Sequence, residues 1–161
     1  MREEDTRSEA YLRQLLRNDA VFWKRALHVQ APYLWNIRRF QLGRTLDIGC
    51  GIGRNLRELG AGSVGVDHNS LAVEVCRQRG LEAYSPQDFA QKYDPSNDKF
   101  DALLFSHVLE HMSLMDGSAL VGRFIPYLKR RSKYYSLHRR GPDSNATLHT
   151  SNSWISQSWR G

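Results

Sequence analysis

The apolar positions of this chain follow two different periods, and the change falls near residue 43. Over residues 9–16 and 20–29 the side chains Tyr11, Leu12, Leu15 and Leu16, then Val21, Phe22 and Leu27, recur at three- and four-residue spacing, which predicts helices. Asn18 or Asp19 can cap the second, and Pro32 suits the first turn of a third helix running to residue 39. Gly43 ends the helical stretch. Beyond it, short apolar runs alternate with amphipathic ones. Strands are predicted over 44–48, 63–67, 81–84 and 100–105, and helices over 54–59, 71–79 and 117–128, the last distorted at Pro126. The run over 100–105 is the most apolar and is predicted to be central in the sheet. Alternating β and α units imply an α/β fold, a mainly parallel sheet with helices on both faces, here preceded by an N-terminal helical cap. The resulting division is 1–43 for the cap, 44–128 for the core and 129–161 for a tail.

Composition changes this picture at one place. At 161 residues, 40% hydrophobic and 25% charged, the chain suits one globular domain. It has no apolar run long enough to span a bilayer and no apolar leader segment, so a cytoplasmic protein without a membrane partner is expected. Cys50 and Cys76 are too few for a disulfide framework and fit reduced thiols. The net charge of +6 is unevenly placed: residues 1–128 carry 16 Lys/Arg against 16 Asp/Glu, whereas residues 129–161 carry seven against Asp143 alone. Such a tail could bind nucleic acid, but the reading preferred is that it is no selected surface.

The chemistry concentrates at residues 46–56, LDIGCGIGRNL. A strand feeds a glycine-rich turn, and the glycines let backbone approach a ligand where a Cβ would clash. The dinucleotide fingerprint is G-x-G-x-x-G, whereas here Gly49, Gly51 and Gly53 alternate and Arg54 follows. Asp47 precedes the glycines. A carboxylate there repels a pyrophosphate and attracts the ammonium of a methionine moiety, which favours S-adenosylmethionine (SAM) over NAD. Asp67, in GVDHN, ends the second strand 20 residues after Asp47 and can accept hydrogen bonds from both ribose hydroxyls. His68 either contacts the cofactor or is an exposed turn residue.

The segments LDIGCGIGRNL, GVDHN and FDALLFSHVLEHM resemble the first, second and fourth motifs of class I SAM-dependent methyltransferases, closest to the broad group that includes the quinone-biosynthesis enzymes. The resemblance covers about residues 44–128. It implies a Rossmann-like sheet, a SAM cofactor, and methyl transfer to a small-molecule acceptor. It also implies that the stretch around Asp47, Gly49, Gly51 and Gly53 holds the methionine end and Asp67 the ribose. Asp88 matches the acid that contacts the adenine amino group, and the backbone N–H of Phe89 would contact the ring; the alternative for Asp88 is a helix cap. Ser106 and His107 would line the pocket where the methyl meets its acceptor, and His107 is the candidate for a general base. Glu110 can cap a helix or bear on substrate, and His111 reads as a helix-start residue. His107-Val108-Leu109-Glu110-His111 also fits the H-x-x-E-H zinc pattern, but no glutamate follows in residues 112–161, and no metal is expected. Trp23, Tyr33 and Trp35 read as core side chains, with a wall for the acceptor as the alternative. The rival functions are a non-catalytic SAM-binding relic and an NAD-type oxidoreductase.

The tail interrupts the pattern. After residues 127–129 a Pro/Gly turn and a fifth apolar strand are due, and Arg130-Arg131-Ser132-Lys133 is neither. Read on the third base of each codon, with third bases freely chosen, the stretch from Ser132 can encode KILFTPQERAGFE and residues 145–161 can encode RDPTHVQFMDFAKLAR, giving a strand, a T-P-Q-E loop and a D-P-T-H-V segment leading to a helix, as in the continuation of this family. The expectation is a frameshifted C-terminus that is irregular past about residue 129, lacks the last strands, and leaves an edge of the 100–105 strand bare.

Overall fold

Buried strand backbone begins where the period changes. The computed structural model describes Arg13, Ile37 and residues 40–106, 108–138 and 147–150. Strand β1 is Thr45–Ile48, every residue buried, and β2 is Val64–Val66, also fully buried. The remaining strands are β3 Ala83–Tyr84, β4 Phe100–Ser106, β5 Leu128–His138 and β6 Thr147–Thr150. They form one sheet in the order β3-β2-β1-β4-β5-β6. All neighbours are parallel except β6, which runs antiparallel to β5. The chain steps outward from β1 to β3, then crosses to β4 on the other side of β1. In such sheets ligands bind beyond the carboxyl ends of the strands at this reversal.

Alternating side chains of the central strands go to opposite layers. Leu46, Ile48, Leu103 and Phe105 meet Phe89, Tyr93, Phe124 and Tyr127. Those four come from helix α2 (Pro86–Lys92), the residue after it, helix α3 (Leu114–Phe124) and the turn Ile125–Tyr127. On the other face Leu104 packs with Ile37, and Val73 and Cys76 of helix α1 (Ser70–Gln78) pack with Ala83. Helices therefore cover both faces, as expected.

The helix ends follow from local chemistry. The Asn69 side chain accepts hydrogen bonds from the N–H groups of Leu71 and Ala72 and starts α1. Ser85 accepts from Asp88 N–H at 3.1 Å, and Pro86 fills the first turn of α2. Ser113 accepts from Asp116 N–H and starts α3 three residues earlier than the apolar pattern places it. Pro126 sits in a 3-10 turn that ends α3, as expected.

Two expected elements differ. Residues 54–59 form only a 3-10 turn at Leu56–Glu58, because a segment bounded by Gly53 and Gly60 is too short to repay helix nucleation. The second difference is larger. The described residues past 129 are not irregular, since β5 runs to His138 and pairs with β4, and the far edge of β4 is covered. The pairing is broken where the sequence pattern breaks: Phe100 opposes Leu128 and Ala102 opposes Lys133, so a step of two positions in β4 is matched by a step of five in β5. The strand forms because the central β4 needs hydrogen-bond partners along that edge, and Tyr135 packs half-buried against Leu104 and Ile37. At the break Lys129 Nζ lies 2.6 Å from Asp101 Oδ1, which ties β5 to β4.

The helices expected over 9–16, 20–29 and 32–39, with Trp23, Tyr33 and Trp35, lie outside the described residues apart from Arg13 and Ile37, both in helical backbone. No helix among the described residues is long and apolar enough to cross a membrane.

Candidate cofactor site

The turn after β1 is laid across the end of β2. The N–H groups of Gly49 and Cys50 both donate to the Val66 carbonyl, at 2.8 and 3.3 Å. Asp67, the next residue, accepts from Gly51 N–H on Oδ2 at 2.8 Å and from Asn69 N–H on Oδ1 at 2.9 Å. The carboxylate thus joins the glycine turn to the start of α1 while staying 7% exposed. Each carboxylate oxygen has two lone pairs, so both retain acceptor capacity for a ligand hydroxyl. Asp47 lies fully buried in β1, opposite Gly65 on one side and Leu104 on the other. His68 is largely exposed, with Nδ1 3.7 Å from Asp67 Oδ1.

Gly49, Gly51 and Gly53 all have left-handed backbone, with φ of 75°, 52° and 78°. Their surroundings differ. A Cβ on Gly51 would meet no atom within 4 Å, so this residue faces open space. A Cβ on Gly53 would lie 2.5 Å from Leu81 Cδ1 and 3.0 Å from Cys76 Sγ, so this residue faces the protein.

Behind the turn sits α1. The Cys76 thiol donates to the Gly51 carbonyl at 3.2 Å, and Arg79 Nη1 donates to the Ile52 carbonyl at 2.8 Å. Cys50 Sγ is 3.7 Å from the same Gly51 carbonyl. A hydrogen bond with Cys76, burial, and the nearby charges of Asp47 and Asp67 push the Cys50 thiol well above its ordinary range, so it stays protonated. These groups were not singled out for the site from the sequence. The available signals were Cys50 between two motif glycines and Cys76 on the inward stripe with Ala72 and Val73.

The structure brings Asp47, Gly49, Gly51, Gly53, Asp67 and His68 to one end of the sheet. Asp88 stands in the first turn of α2, half-exposed, 3.7 Å from Arg77 Nη2 of α1. The cap of that helix is Ser85 and not Asp88. Phe89 is a correction. Its ring is buried in the core, stacked on Tyr93 at 4.8 Å, and its N–H donates to the Ser85 carbonyl at 2.9 Å within α2. Helix formation from Ser85 onward consumes the donor that was expected to meet the adenine. Ser106 closes β4 and is paired with Leu137 of β5. His107 lies outside the described residues, Glu110 is in the turn Leu109–His111, and His111 is exposed there.

This sheet order, with a glycine turn after β1 and an acid ending β2, defines a Rossmann-like α/β domain of the class I methyltransferase type. A family model described as "Methyltransferase domain" matches residues 15–136, and the chain belongs to that family. Among solved structures, the complex of DhpI with S-adenosylhomocysteine (SAH) matches 91% of this chain and 78% of its own, at 16% identity and TM-score 0.60. SAM-bound CalS10, an amino pentose methyltransferase from Micromonospora echinaspora, matches 79% of this chain and 58% of its own, at 16% identity and TM-score 0.59. The plantazolicin methyltransferase BpumL, solved with SAH and a pentazolic desmethylPZN analog, matches 75% of this chain at 18% identity and TM-score 0.53. The chain spans 52% of that enzyme, about half its length. At these identities the likeness is one of fold. No curated protein matches the chain in sequence.

Proposed function

We propose that this chain binds SAM at the carboxyl ends of β1 and β2 and transfers its methyl group to a small-molecule acceptor. The observation that carries the reading is the hydrogen bond from Gly51 N–H to Asp67 Oδ2, with open space in front of Gly51. It leaves room for a ligand in front of the turn, backed by an acid with acceptor capacity, and that combination suits an adenosine cofactor. In this reading Asp67 accepts hydrogen bonds from the ribose hydroxyls, and the 49–53 turn receives the methionine end. Asp47, buried beneath the turn, supplies negative charge towards its ammonium. Asp88 is the candidate partner of the adenine amino group, in competition with Arg77. When bound, SAM supplies an electrophilic methyl group for in-line displacement; the protein contributes orientation and electrostatics. Where the acceptor is a hydroxyl or amine, His107, directly after β4, is the candidate base. Met112, Leu114 and Met115 are exposed on the elements that follow β4 and offer an apolar rim to an uncharged acceptor. A cytoplasmic location, the division into 1–43, 44–128 and 129–161, and a shifted-frame origin for the residues past 130 belong to the same proposal. Sequencing the coding locus tests the last.

Titration calorimetry on the chain tests the cofactor. SAH is expected to bind, and Asp67→Ala to weaken binding by about 1.5–3 kcal/mol, as for hydrogen bonds to a charged group. Tight binding of NADH with none of SAH overturns the reading.

A further inference from the structure

The turn over residues 49–53 is held on its inner side by side chains that no cofactor role explains. Two consecutive peptide planes are involved. The Gly51 carbonyl accepts from the Cys76 thiol at 3.2 Å, and the Ile52 carbonyl accepts from Arg79 Nη1 at 2.8 Å. Both donors stand on or directly after α1, one turn apart. A trans peptide is planar and carries its N–H opposite its C=O. Anchoring the Gly51 carbonyl towards α1 therefore turns the Ile52 N–H away from α1. Anchoring the Ile52 carbonyl does the same for the Gly53 N–H, which reaches the Cys50 carbonyl at 3.0 Å and closes the turn. Glycine-rich backbone has little conformational preference of its own, so these planes need external fixing.

We propose that Cys76 and Arg79 are positioning residues for the cofactor turn, clamping the Gly51 and Ile52 carbonyls from behind so that the opposite face is preformed for the ligand. The proposal rests on the cofactor reading above. Cys76 is fully buried and seals the space behind Gly53, while Arg79 is half-exposed and reaches the turn across the end of α1. With Asp67 holding the Gly51 N–H, the peptides on both sides of Gly51 are fixed by a side chain just after β2 and one from α1. The ligand then meets a surface it does not have to order, which is the thermodynamic value of preorganisation.

The test uses the chain with Arg79→Met, Cys76→Ala and Cys76→Ser, two readouts, and melting curves to confirm that each variant folds. In the ligand-free protein, amide exchange of Gly51 and Gly53, the hydrogen-bonded amides of the turn, should quicken in Arg79→Met and Cys76→Ala, with the β4 amides unchanged. SAH dissociation constants should rise about tenfold in each, the equivalent of one net hydrogen bond. Cys76→Ser keeps a donor and should restore most of the loss. Cooperatively folded variants with wild-type exchange at the turn overturn the clamp. Faster exchange with unchanged SAH affinity overturns the positioning role, and a serine as poor as alanine overturns the hydrogen bond. Faster exchange in a protein that binds no SAH in any form, wild type included, strikes the cofactor reading and with it the positioning role, leaving a purely structural clamp.

Discussion

Gly51 and Gly53 lie two residues apart, both in left-handed backbone, yet they need glycine for opposite reasons. Gly51 faces open space, so its missing side chain leaves room for something outside the protein. Gly53 faces Leu81 and Cys76, so its missing side chain lets α1 approach. One turn thus has an open face and a packing face, and a motif written as glycines alone conceals the difference.

The contrast breaks most readily at Gly53. Gly53→Ala combines left-handed strain of about 1–2 kcal/mol with overpacking of about 1–3 kcal/mol. Leu81 can swing its terminal methyl aside and buried Cys76 cannot, so urea unfolding should show a loss of about 2–4 kcal/mol. Gly51→Ala meets no clash and should lose only about 1–2 kcal/mol, the strain alone. Its SAH affinity should nevertheless fall at least as far as that of Gly53→Ala, because the added methyl enters the open space proposed for the ligand. Equal stability losses in the two variants would erase the distinction.

A pH profile sharpens the packing face. The folded Cys50 has its thiol pKa raised above the unfolded value, chiefly by its hydrogen bond with Cys76 and by burial. Its contribution to stability is therefore complete below the unfolded thiol range near about 8.5, and is lost as pH rises beyond it. Denaturant midpoints should fall on the alkaline side, and Cys50→Ala should flatten that limb. The smallest effect lies away from the turn. Asp101 is held below the usual carboxylate range by Lys129 and by the Arg44 N–H. Its pair with Lys129 is partly exposed, so Asp101→Asn should cost only about 0.2–1 kcal/mol at neutral pH. That difference should close as pH falls below the unfolded value of about 3.9 and through the lower folded one. SAH binding should not change.

The parts that could be read from sequence are those in which one residue does one job. β1, β2, β4 and α1 come from apolar runs and glycine stops, and Asp67 from its place at the end of β2. α2 was missed because its signal is Ser85-Pro86 at the start and not an apolar stripe; the same helix then withdrew the Phe89 N–H from the site. The clamp by Cys76 and Arg79 was invisible because it joins residues 25 and 27 positions away from their partners. β5 is not legible in the sequence because Arg130, Arg131 and Lys133 do not fit the apolar pattern of a buried strand. Its backbone instead answers the hydrogen-bonding demand of β4, a tertiary requirement absent from local composition. The interruption noticed there survives as the broken register after Leu128.

The sheet order carries a consequence for how the chain finds its fold. Leu46 pairs with Val64 and Gly65 with Ala83, each 18 positions apart, and Asp67 reaches Gly51 over 16. Thr45 pairs with Ala102 across 57 positions. Closing the longer loop costs more entropy, and non-local pairing is slow. The β1–β2–β3 unit, with its turn, α1 and clamp, is therefore the low-contact-order part of the molecule. Its assembly would come first, so that β4 docks onto a turn whose hydrogen bonds are already made.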